Sequence, residues 1–492
     1  MTRPSRRAGL LVGLAVVLVH GRSVFFGFTD LDDRDLIVGD SAFLAGGGSL
    51  LNVFRRSYMH IVDAEHAYYR PLVTLSYAID ARWGGVRASP YHLTNVGLHA
   101  IASLLFFALL RRLDFGRTVA ACAALVFAVH PAVASAVAWV PGRNDSLCAV
   151  FVLASWLFFV ADIARPSWAS RLLHIGCFWL ALLSKETALV VPVVCGLHRL
   201  LAEGTRIRGR PSLPTLVIAV GWACGIAGRM MAHALPSEAS ARELLHHLPL
   251  LATSLSTLAV PVDSSLIGAR EDQSAWPGVV AVALIAAATR YVPGVRFRIV
   301  AMGAAAFVSF LAPALAVPGD LILESRLYLP ACGAFLAGAE IVRAIAPERR
   351  TLIAFSAAGL AALGAMTVAY EGTFRDRRTF ARNAVASAPH APMAHFCLAR
   401  SFQIDGDADR ALAEYRLAAA LGATYSVHNN IAVLYMARAR WTEAERELRE
   451  ELAIDPRSAP AHRNLAAVLR REDRLEEATS ADQRAGSTDG EN

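Results

Sequence analysis

The feature that most constrains this chain is a series of apolar stretches of roughly membrane-spanning length. An α-helix rises about 1.5 Å per residue and a hydrocarbon core is roughly 30 Å thick, so about 20 apolar residues span it. We predict eleven spans, at about 10–26, 93–110, 118–134, 146–163, 171–184, 187–202, 214–232, 276–292, 298–317, 327–346 and 351–370. The mean hydropathy of +0.42 and a charged fraction of 18% also indicate an all-α, polytopic membrane protein.

Arginine clusters indicate the direction of these spans. They fall on alternate loops, at 3–7, 111–117, 165–171, 199–210, 290–298 and 343–350. The positive-inside rule assigns such loops to the cytoplasm. An odd span count then places the amino terminus inside and everything after Tyr370 outside, in a multi-pass protein of the inner (plasma) membrane. Counting 246–260 as a span would invert the later loops, so we interpret it as a helix at the outer surface.

Charge and cysteine usage disfavour two classes of protein. The net charge of +7 comes from short arginine clusters rather than a continuous basic stripe, which argues against a nucleic-acid partner. The cysteines are scattered without CxxC or metal-ligand spacing, so we predict neither a disulfide framework nor a zinc site. Acidic clusters can hold a divalent cation, but no ligand spacing here identifies a metal site, and the cofactor requirement stays open.

The chain divides into a membrane domain at 1–371 and a repeat domain at 390–492. The repeat domain carries two sets of alanines spaced by 33 and 34 residues: Ala399, Ala432 and Ala466, then Ala411, Ala444 and Ala478. This period predicts about three helix-turn-helix repeats of the tetratricopeptide (TPR) type. Such a stack usually binds a peptide or a partner protein, although one without a ligand is the alternative. In the first external loop, 27–91, residues 50–61 predict an amphipathic helix that rests at the interface or on the protein.

An acidic cluster follows the first span. Asp30, Asp32, Asp33 and Asp35 lie where hydrocarbon gives way to water. Each charge would cost about 2.5–3.5 kcal/mol at the membrane centre, so the cluster marks a boundary. A carboxylate at this depth suits an enzyme that acts on a lipid-linked substrate at the headgroup level. Alternatively, the acids only end the helix and keep its far side outside.

Further polar motifs lie on the same predicted side of the membrane. They are Tyr69-Arg70-Pro71-Leu72, His130-Pro131, Gly142-Arg143-Asn144-Asp145, Ser184-Lys185-Glu186 and Glu324-Ser325-Arg326. Each motif alone also fits a helix start, a helix cap or an interfacial ion pair. Together, acids and cations at one interface fit sugar transfer from a lipid phosphate. A carboxylate would take the proton of the incoming hydroxyl, worth about 10²–10⁴-fold in rate. Arginine or lysine would stabilise charge on the departing phosphate.

The order of these motifs resembles the transmembrane-and-TPR O-mannosyltransferases and their bacterial relatives, in the GT-C superfamily of polyprenyl-phosphate-sugar glycosyltransferases. The matching segments are 32–33, 69–72, 91–95, 98–99, 129–131, 138–140, 142–145, 183–186 and 324–330, followed by the repeat domain. The resemblance covers almost the whole chain, and its strength lies in the ordered set of motifs.

The resemblance implies a GT-C-like fold with its active site on the non-cytoplasmic face. The donor would be a dolichol- or polyprenyl-phosphate sugar, commonly mannose, and the acceptor a protein hydroxyl. The catalytic base would be Asp33 or Asp32, with Asp33 slightly favoured. Four cations would hold phosphate or brace the site: Arg70, Arg143, Lys185 and Arg326. The rest of the predicted substrate-binding set is His92, His130, Asp145, Glu186 and Glu324.

The chain departs from the family pattern at Ser135, where relatives often carry an acidic residue, and at Val133, where a polar residue is common. A second hypothesis is therefore a non-catalytic membrane scaffold whose TPR domain assembles envelope proteins. A transporter is disfavoured, because charges in the middle of the predicted spans are nearly absent.

Overall fold

A computed structural model describes residues 3–46, 50–55, 58, 68–203, 213–232, 245–262, 265–316, 322–345, 348–423 and 426–490. The chain divides into two compact units. The transmembrane unit comprises Met1–Leu266 and Gln273–Asp376, and the C-terminal unit comprises Ile267–Asp272 and Arg377–Asn492.

Most of the described part of the transmembrane unit is helical, which confirms the predicted all-α class. Its α-helices are α1 (Arg3–His20), α2 (Ser41–Ala45), α3 (Pro71–Gly84), α4 (Ala88–Arg112), α5 (Arg117–Val129), α6 (Pro131–Ala138), α7 (Arg143–Ala164), α8 (Trp168–Leu182), α9 (Val191–Glu203), α10 (Leu213–Ala232), α11 (Leu250–Ala259), α12 (Trp276–Tyr291), α13 (Phe297–Leu315), α14 (Tyr328–Ile345) and α15 (Arg349–Glu371). Short helical segments in this unit are Gly21–Phe25, Arg34–Val38, Leu50–Arg55, Val140–Gly142, Glu186–Val190, Glu324–Leu327 and Gly372–Phe374. Extended structure in the described residues is limited to β1 (Ile267–Gly268) and β2 (Ile322–Leu323).

Six described helical segments are long and apolar enough to cross a membrane, and α5 with α6 makes a seventh if that bent pair counts as one span. The six are Arg6–Phe25, Ala88–Arg112, Val140–Ala164, Phe297–Leu315, Glu324–Ile345 and Arg350–Phe374. Shorter apolar helices at Thr215–Met230 and Trp276–Tyr291 occupy two other predicted positions. A polytopic membrane protein is therefore confirmed, whereas the count of eleven spans stays a prediction.

Two predicted surface helices have partial counterparts. The segment 246–260 contains α11, a ten-residue apolar helix. Of the predicted amphipathic helix at 50–61, the structure has a short 3-10 helix at Leu50–Arg55. Residues 56–57 and 59–61 lie outside the described residues.

A bend of 55° separates α5 from α6, because Pro131 lacks an N–H and cannot continue the α5 ladder. The last carbonyls of α5 therefore take side-chain partners, as buried carbonyls require. The Ala128 oxygen accepts hydrogen bonds from His20 Nε2 at 2.9 Å and His99 Nε2 at 3.2 Å. The Val129 oxygen accepts one from Thr367 Oγ1 at 2.6 Å. The break thus connects α1, α4 and α15 around the end of α5.

Glycines allow α13 and α14 to approach closely. A Cβ added at Gly333 would lie 2.5 Å from the backbone nitrogen of Phe307 and 2.6 Å from the carbonyl oxygen of Gly303. Small residues permit this close backbone contact between membrane helices. The contact holds the end of α13 beside the chain segment that precedes α14.

The described part of the C-terminal unit contains α16 (Arg377–Ser387), α17 (Pro392–Ile404), α18 (Ala408–Ala420), α19 (Val427–Met436), α20 (Trp441–Ile454), α21 (Ala459–Arg471) and α22 (Leu475–Gly490). The first set of repeating alanines is buried on α17, α19 and α21, and the second is buried on α18, α20 and α22. Asp407 and Ser458 cap α18 and α21, because their side chains accept backbone N–H groups of the first turn. This alternation agrees with the predicted repeat register, and the TPR assignment stays a prediction.

The close contact of α13 and α14 can be tested at two glycines of α14. We expect Gly333→Ala to lower the apparent Tm of the purified protein, because the added methyl group forces the helices apart at a cost of about 1–3 kcal/mol. Gly338→Ala is the matched control, since no described atom lies within 4 Å of its added Cβ. It should be neutral or slightly stabilising, because alanine favours a helix. Equal losses of Tm in both variants would contradict the assigned contact.

Candidate active site

A cavity of about 400 Å³ lies in the transmembrane unit where several predicted motifs meet. Its volume falls within the roughly 300–1,000 Å³ that small-molecule sites occupy. The polar lining comes from the segment after α1, the segment before α3, the start of α7 and the short helices that begin at Glu186 and Glu324. These polar residues are Asp32, Tyr58, Tyr68, Arg70, Asn144, Asp145, Lys185, Glu186, Thr187, Ser325 and Arg326.

Six of the eleven predicted site residues line this cavity: Asp32, Arg70, Asp145, Lys185, Glu186 and Arg326. The other five are outside its lining: Asp33, His92, His130, Arg143 and Glu324. The structure thus brings one carboxylate of the acidic cluster together with three of the four predicted cations. The catalytic and binding roles of these residues stay predictions.

Arg70 is held by a carboxylate and by two aromatic rings. It immediately precedes Pro71, whose fixed backbone angle suits the first position of α3. Its Nη2 and Nε donate to Glu186 Oε1 and Oε2 at 2.6 and 3.2 Å. The rings of Tyr68 and Tyr58 lie 4.4 and 5.2 Å from its guanidinium carbon. Burial alone would raise the pKa of Glu186, but the facing Arg70 lowers this pKa to about 2, so the carboxylate is ionised at neutral pH.

Lys185 forms a second ion pair, with Asp145 in the first turn of α7. Its Nζ donates to Asp145 Oδ1 at 2.6 Å and to Asn144 Oδ1 at 3.1 Å. The Asp145 carboxylate also lies at the positive end of the α7 dipole. Both side chains are nearly buried, and their opposite charges cancel because they form a close ion pair.

Arg326 differs from the other two cations of the cavity. It lies in the short helix Glu324–Leu327 and faces the cavity. The nearby carboxylates of Asp145 and Glu186 attract it, but within the described ranges no carboxylate comes within ion-pair distance of its guanidinium group. Arg326 is therefore available to an anionic ligand.

The two candidate bases have different surroundings. Asp32 lines the cavity, whereas Asp33 is fully buried beside it in the chain. Asp33 Oδ2 accepts hydrogen bonds from the backbone N–H of Thr29 at 2.9 Å and from the Thr29 hydroxyl. Burial raises the pKa of Asp33 to about 7 even though the Thr29 hydrogen bonds lower it. The geometry gives Asp32, rather than Asp33, direct access to a bound ligand.

Arg143 is fully buried and does not line the cavity. Its Nη2 forms an ion pair with Asp80 Oδ2 at 2.6 Å, and its Nε donates to Asn95 Oδ1 at 2.8 Å. Asn95 Nδ2 in turn donates to the carbonyl oxygens of Val137 and Trp139. Arg143 therefore braces the turn from which Asn144 and Asp145 reach the cavity.

The three remaining predicted residues hydrogen-bond to other parts of the transmembrane unit: His92 and His130 to backbone groups, and Glu324 to a side chain. His92 Nε2 donates to the carbonyl oxygen of Gly27, just before the acidic cluster, at 3.3 Å. His130 Nδ1 accepts the N–H of Ala132 and so caps α6. Glu324 accepts a hydrogen bond from the Tyr370 hydroxyl at 2.5 Å.

Sequence reasoning did not include several residues of this region. Tyr58 and Tyr68 flank Arg70, Asp80 pairs with Arg143, and Arg229 of α10 lies 3.9 Å from Glu186. Arg229 is a lone cation in a long apolar stretch of the sequence. Because such a charge requires a partner, its position alone could have marked it as a site residue. The tyrosines carry no comparable signal, because aromatic residues are common near a membrane surface.

The carboxylates of the cavity are arranged as ion-pair partners. Over the ranges that the structure describes, no three side chains of the types His, Cys, Asp and Glu are grouped as a metal site requires. The carboxylates of Asp145 and Glu186 face Lys185 and Arg70 instead.

The buried Asp33 should make stability depend on pH. Its pKa is higher in the folded protein than in the unfolded chain, so its contribution is greatest below about pH 4 and is lost as the pH rises through about 7. We expect Asp33→Asn, which is neutral at every pH, to flatten the fall of apparent Tm between about pH 5 and pH 8 by a few degrees. Asp35→Asn, in the same cluster, should keep the wild-type fall. An unchanged pH dependence in Asp33→Asn, measured by thermal unfolding, would contradict a buried protonated carboxyl.

Comparison with known proteins identifies relatives of part of the chain. Protein O-mannosyl-transferase Tmtc1 of Drosophila melanogaster is 35% identical over 207 residues, which cover 40% of this chain and 24% of that protein. Protein O-mannosyl-transferase TMTC3 of Mus musculus is 28% identical over 222 residues, covering 42% and 24%. Protein O-mannosyl-transferase TMTC2 of Mus musculus is 32% identical over 159 residues, covering 31% and 19%. No family model matches the chain.

These matches span about a quarter or less of the length of each curated relative. Within that span they support the resemblance that the ordered motifs indicated. Over that part, the chain is therefore similar to proteins that are named protein O-mannosyl-transferases.

Proposed function

We propose that this protein is a membrane glycosyltransferase that transfers a sugar from a polyprenyl-phosphate donor to a hydroxyl of a protein or another envelope acceptor. The relatives are named protein O-mannosyl-transferases, so mannose is the proposed sugar and a protein the first acceptor to test. The reaction would take place on the non-cytoplasmic face of the inner (plasma) membrane.

The observation that carries this proposal is the mixed lining of the cavity. The lining includes the cations Arg70, Lys185 and Arg326. It also includes the apolar residues Leu189, Phe310, Pro313, Ala314, Ala316 and Leu323. A polyprenyl-phosphate sugar has an anionic phosphate joined to a hydrocarbon chain, so it matches both kinds of lining residue. A soluble nucleotide-sugar would gain little from the apolar residues.

In the proposed reaction, the carboxylate that lines the cavity acts as the general base. Asp32 would take the proton of the acceptor hydroxyl, and the hydroxyl oxygen would form a bond to the anomeric carbon of the sugar. The bond from that carbon to the phosphate oxygen would break, and its electron pair would leave on the phosphate. General-base help of this kind is worth about 10²–10⁴-fold in rate.

The phosphate gains negative charge as it leaves, and this charge needs stabilisation in the transition state. Arg326 suits that role, because it faces the cavity without a carboxylate partner in the described part of the chain. A planar guanidinium can also donate to two phosphate oxygens together. Arg70, already bound to Glu186, would contribute a second, more rigid donor.

The arginine-rich loops support the proposed orientation. With those loops in the cytoplasm, the motifs that line the cavity face the opposite side, together with the C-terminal unit. The proposed role of that unit is to bind the protein acceptor or a partner protein, as TPR stacks commonly do.

The decisive experiment measures sugar transfer from radiolabelled polyprenyl-phosphate mannose in membranes that contain the protein. We expect Asp32→Asn to reduce transfer by about 10²–10⁴-fold, because the proton acceptor is lost. Asp33→Asn should also reduce transfer if Asp33 is the base, and less so if it only supports the loop. Asp35→Asn is the matched control and should keep normal transfer. Normal rates in both Asp32→Asn and Asp33→Asn would contradict the glycosyltransferase assignment.

The scaffold hypothesis makes the opposite prediction. A chain truncated after residue 390 should lose all function if the C-terminal unit alone carries it, while Asp32→Asn should leave that function unchanged. If the protein is instead an enzyme, the truncated chain should still bind the lipid donor but should transfer little sugar to its protein acceptor. Donor binding by the truncated chain, measured in nanodiscs beside the full chain, therefore separates the two hypotheses.

A further inference from the structure

Glu186 has two guanidinium neighbours, although one suffices to neutralise it. Arg70 already makes two hydrogen bonds to its carboxylate. Arg229, which reaches in from α10, places Nη2 3.9 Å from Glu186 Oε2. The neighbouring cation Lys185 does not compete for Glu186, because its Nζ donates to Asp145.

The guanidinium group of Arg229 has donors that lack hydrogen-bond partners among the described residues. Its side chain is only 8% exposed, and its Nε and Nη1 have no hydrogen-bond partner among the described residues. The ring of Tyr69 lies 5.7 Å from its guanidinium carbon, which holds the group in place but accepts no strong hydrogen bond. Buried donors without partners are unfavourable, so this arrangement suggests a second state in which they are used.

Arg229 does not line the cavity, whereas Arg70 and Glu186 do. An anion in the cavity therefore meets Arg70 directly and can compete with Glu186 for its N–H groups. If Arg70 turned to that anion alone, Glu186 would become a largely buried carboxylate without its ion-pair partner. Such a state is strongly disfavoured.

We propose that Arg229 is the reserve partner of Glu186, which holds this carboxylate when an anionic lipid phosphate in the cavity engages Arg70. The proposal rests on the proposed function for the identity of the anion. Arg229 is a positioning residue in this scheme, because it acts through Glu186 and Arg70 rather than on the ligand. A displacement of about 1 Å would bring Nη2 of Arg229 and Oε2 of Glu186 within hydrogen-bond distance.

The test measures the Kd of farnesyl phosphate, a prenyl monophosphate, for the purified full-length chain in nanodiscs. We expect Arg229→Gln to raise this Kd by about tenfold. Without Arg229, Arg70 can engage the phosphate only by leaving Glu186 without a cationic partner, and this cost weakens binding. Arg229→Lys retains the charge and should raise the Kd by less than about threefold. Arg290→Gln is the matched control, since Arg290 also stacks on a tyrosine ring, that of Tyr291, and should leave the Kd unchanged.

A double variant distinguishes this role from a structural one. Once Glu186→Gln removes the charge that Arg229 is proposed to hold, adding Arg229→Gln should change the Kd by less than about threefold. A tenfold loss that persists in the Glu186→Gln background would overturn the proposal, since it would mean that Arg229 acts independently of Glu186. An unchanged Kd in Arg229→Gln would overturn it as well.

The same measurement separates this inference from the proposed function. If the wild-type chain binds farnesyl phosphate and Arg229→Gln binds it equally well, only the role of Arg229 is wrong. If the wild-type chain binds no farnesyl phosphate while its thermal unfolding is normal, the lipid-phosphate function fails and the role of Arg229 fails with it.

Discussion

Charge that is buried near a membrane needs a partner of opposite sign, and the transmembrane unit is organised around this requirement. Removing an ion from water costs several kcal/mol, which only a close and well hydrogen-bonded partner offsets. Four ion pairs meet this requirement between segments that are distant in the chain: Arg70–Glu186, Lys185–Asp145, Arg143–Asp80 and Arg296–Glu340. The pairs that neutralise charge therefore also hold helices and loops in position.

The same requirement determines which charges of the cavity lining are neutralised by a neighbour. Arg70–Glu186 and Lys185–Asp145 are internally neutral pairs, and the lining also includes Arg326 and Asp32. In the proposed function, Arg326 meets the phosphate and Asp32 takes the hydroxyl proton. Arg143 and Asp80 do not line the cavity, and their ion pair fixes the turn that carries Asp145. The lining residues and the residues that support them are thus distinct groups of one polar region.

The sequence predicted the class of the fold and much of the cavity, because both depend on strong local signals. Apolar length indicated membrane helices, and alternating arginine loops placed the motifs of Arg70, Lys185 and Arg326 on one face. That Asp32 lines the cavity while Asp33 is buried was not predictable, since it depends on how the chain turns before the short helix Arg34–Val38. The burial of Arg143 was equally hidden, because its partner Asp80 lies 63 positions earlier and its motif gives no sign of the pairing.

The bend between α5 and α6 shows that backbone contacts between distant segments are also not predictable from local sequence. Pro131 predicts an interruption, but nothing local predicts that side chains from α1, α4 and α15 satisfy the freed carbonyls. Those partners follow from long-range packing, which a reading of local motifs does not include.

Lys185 is the only lysine in the chain, and it lies in the cavity with its Nζ between Asn144 and Asp145. A compact ammonium with three donors suits these two acceptors better than the broad fork of arginine. The amino terminus aside, this chain therefore has a single primary amine. With the amino terminus blocked, an amine-directed fluorophore or crosslinker would report from the cavity, and occlusion by a ligand would be visible as protection of one chemical group.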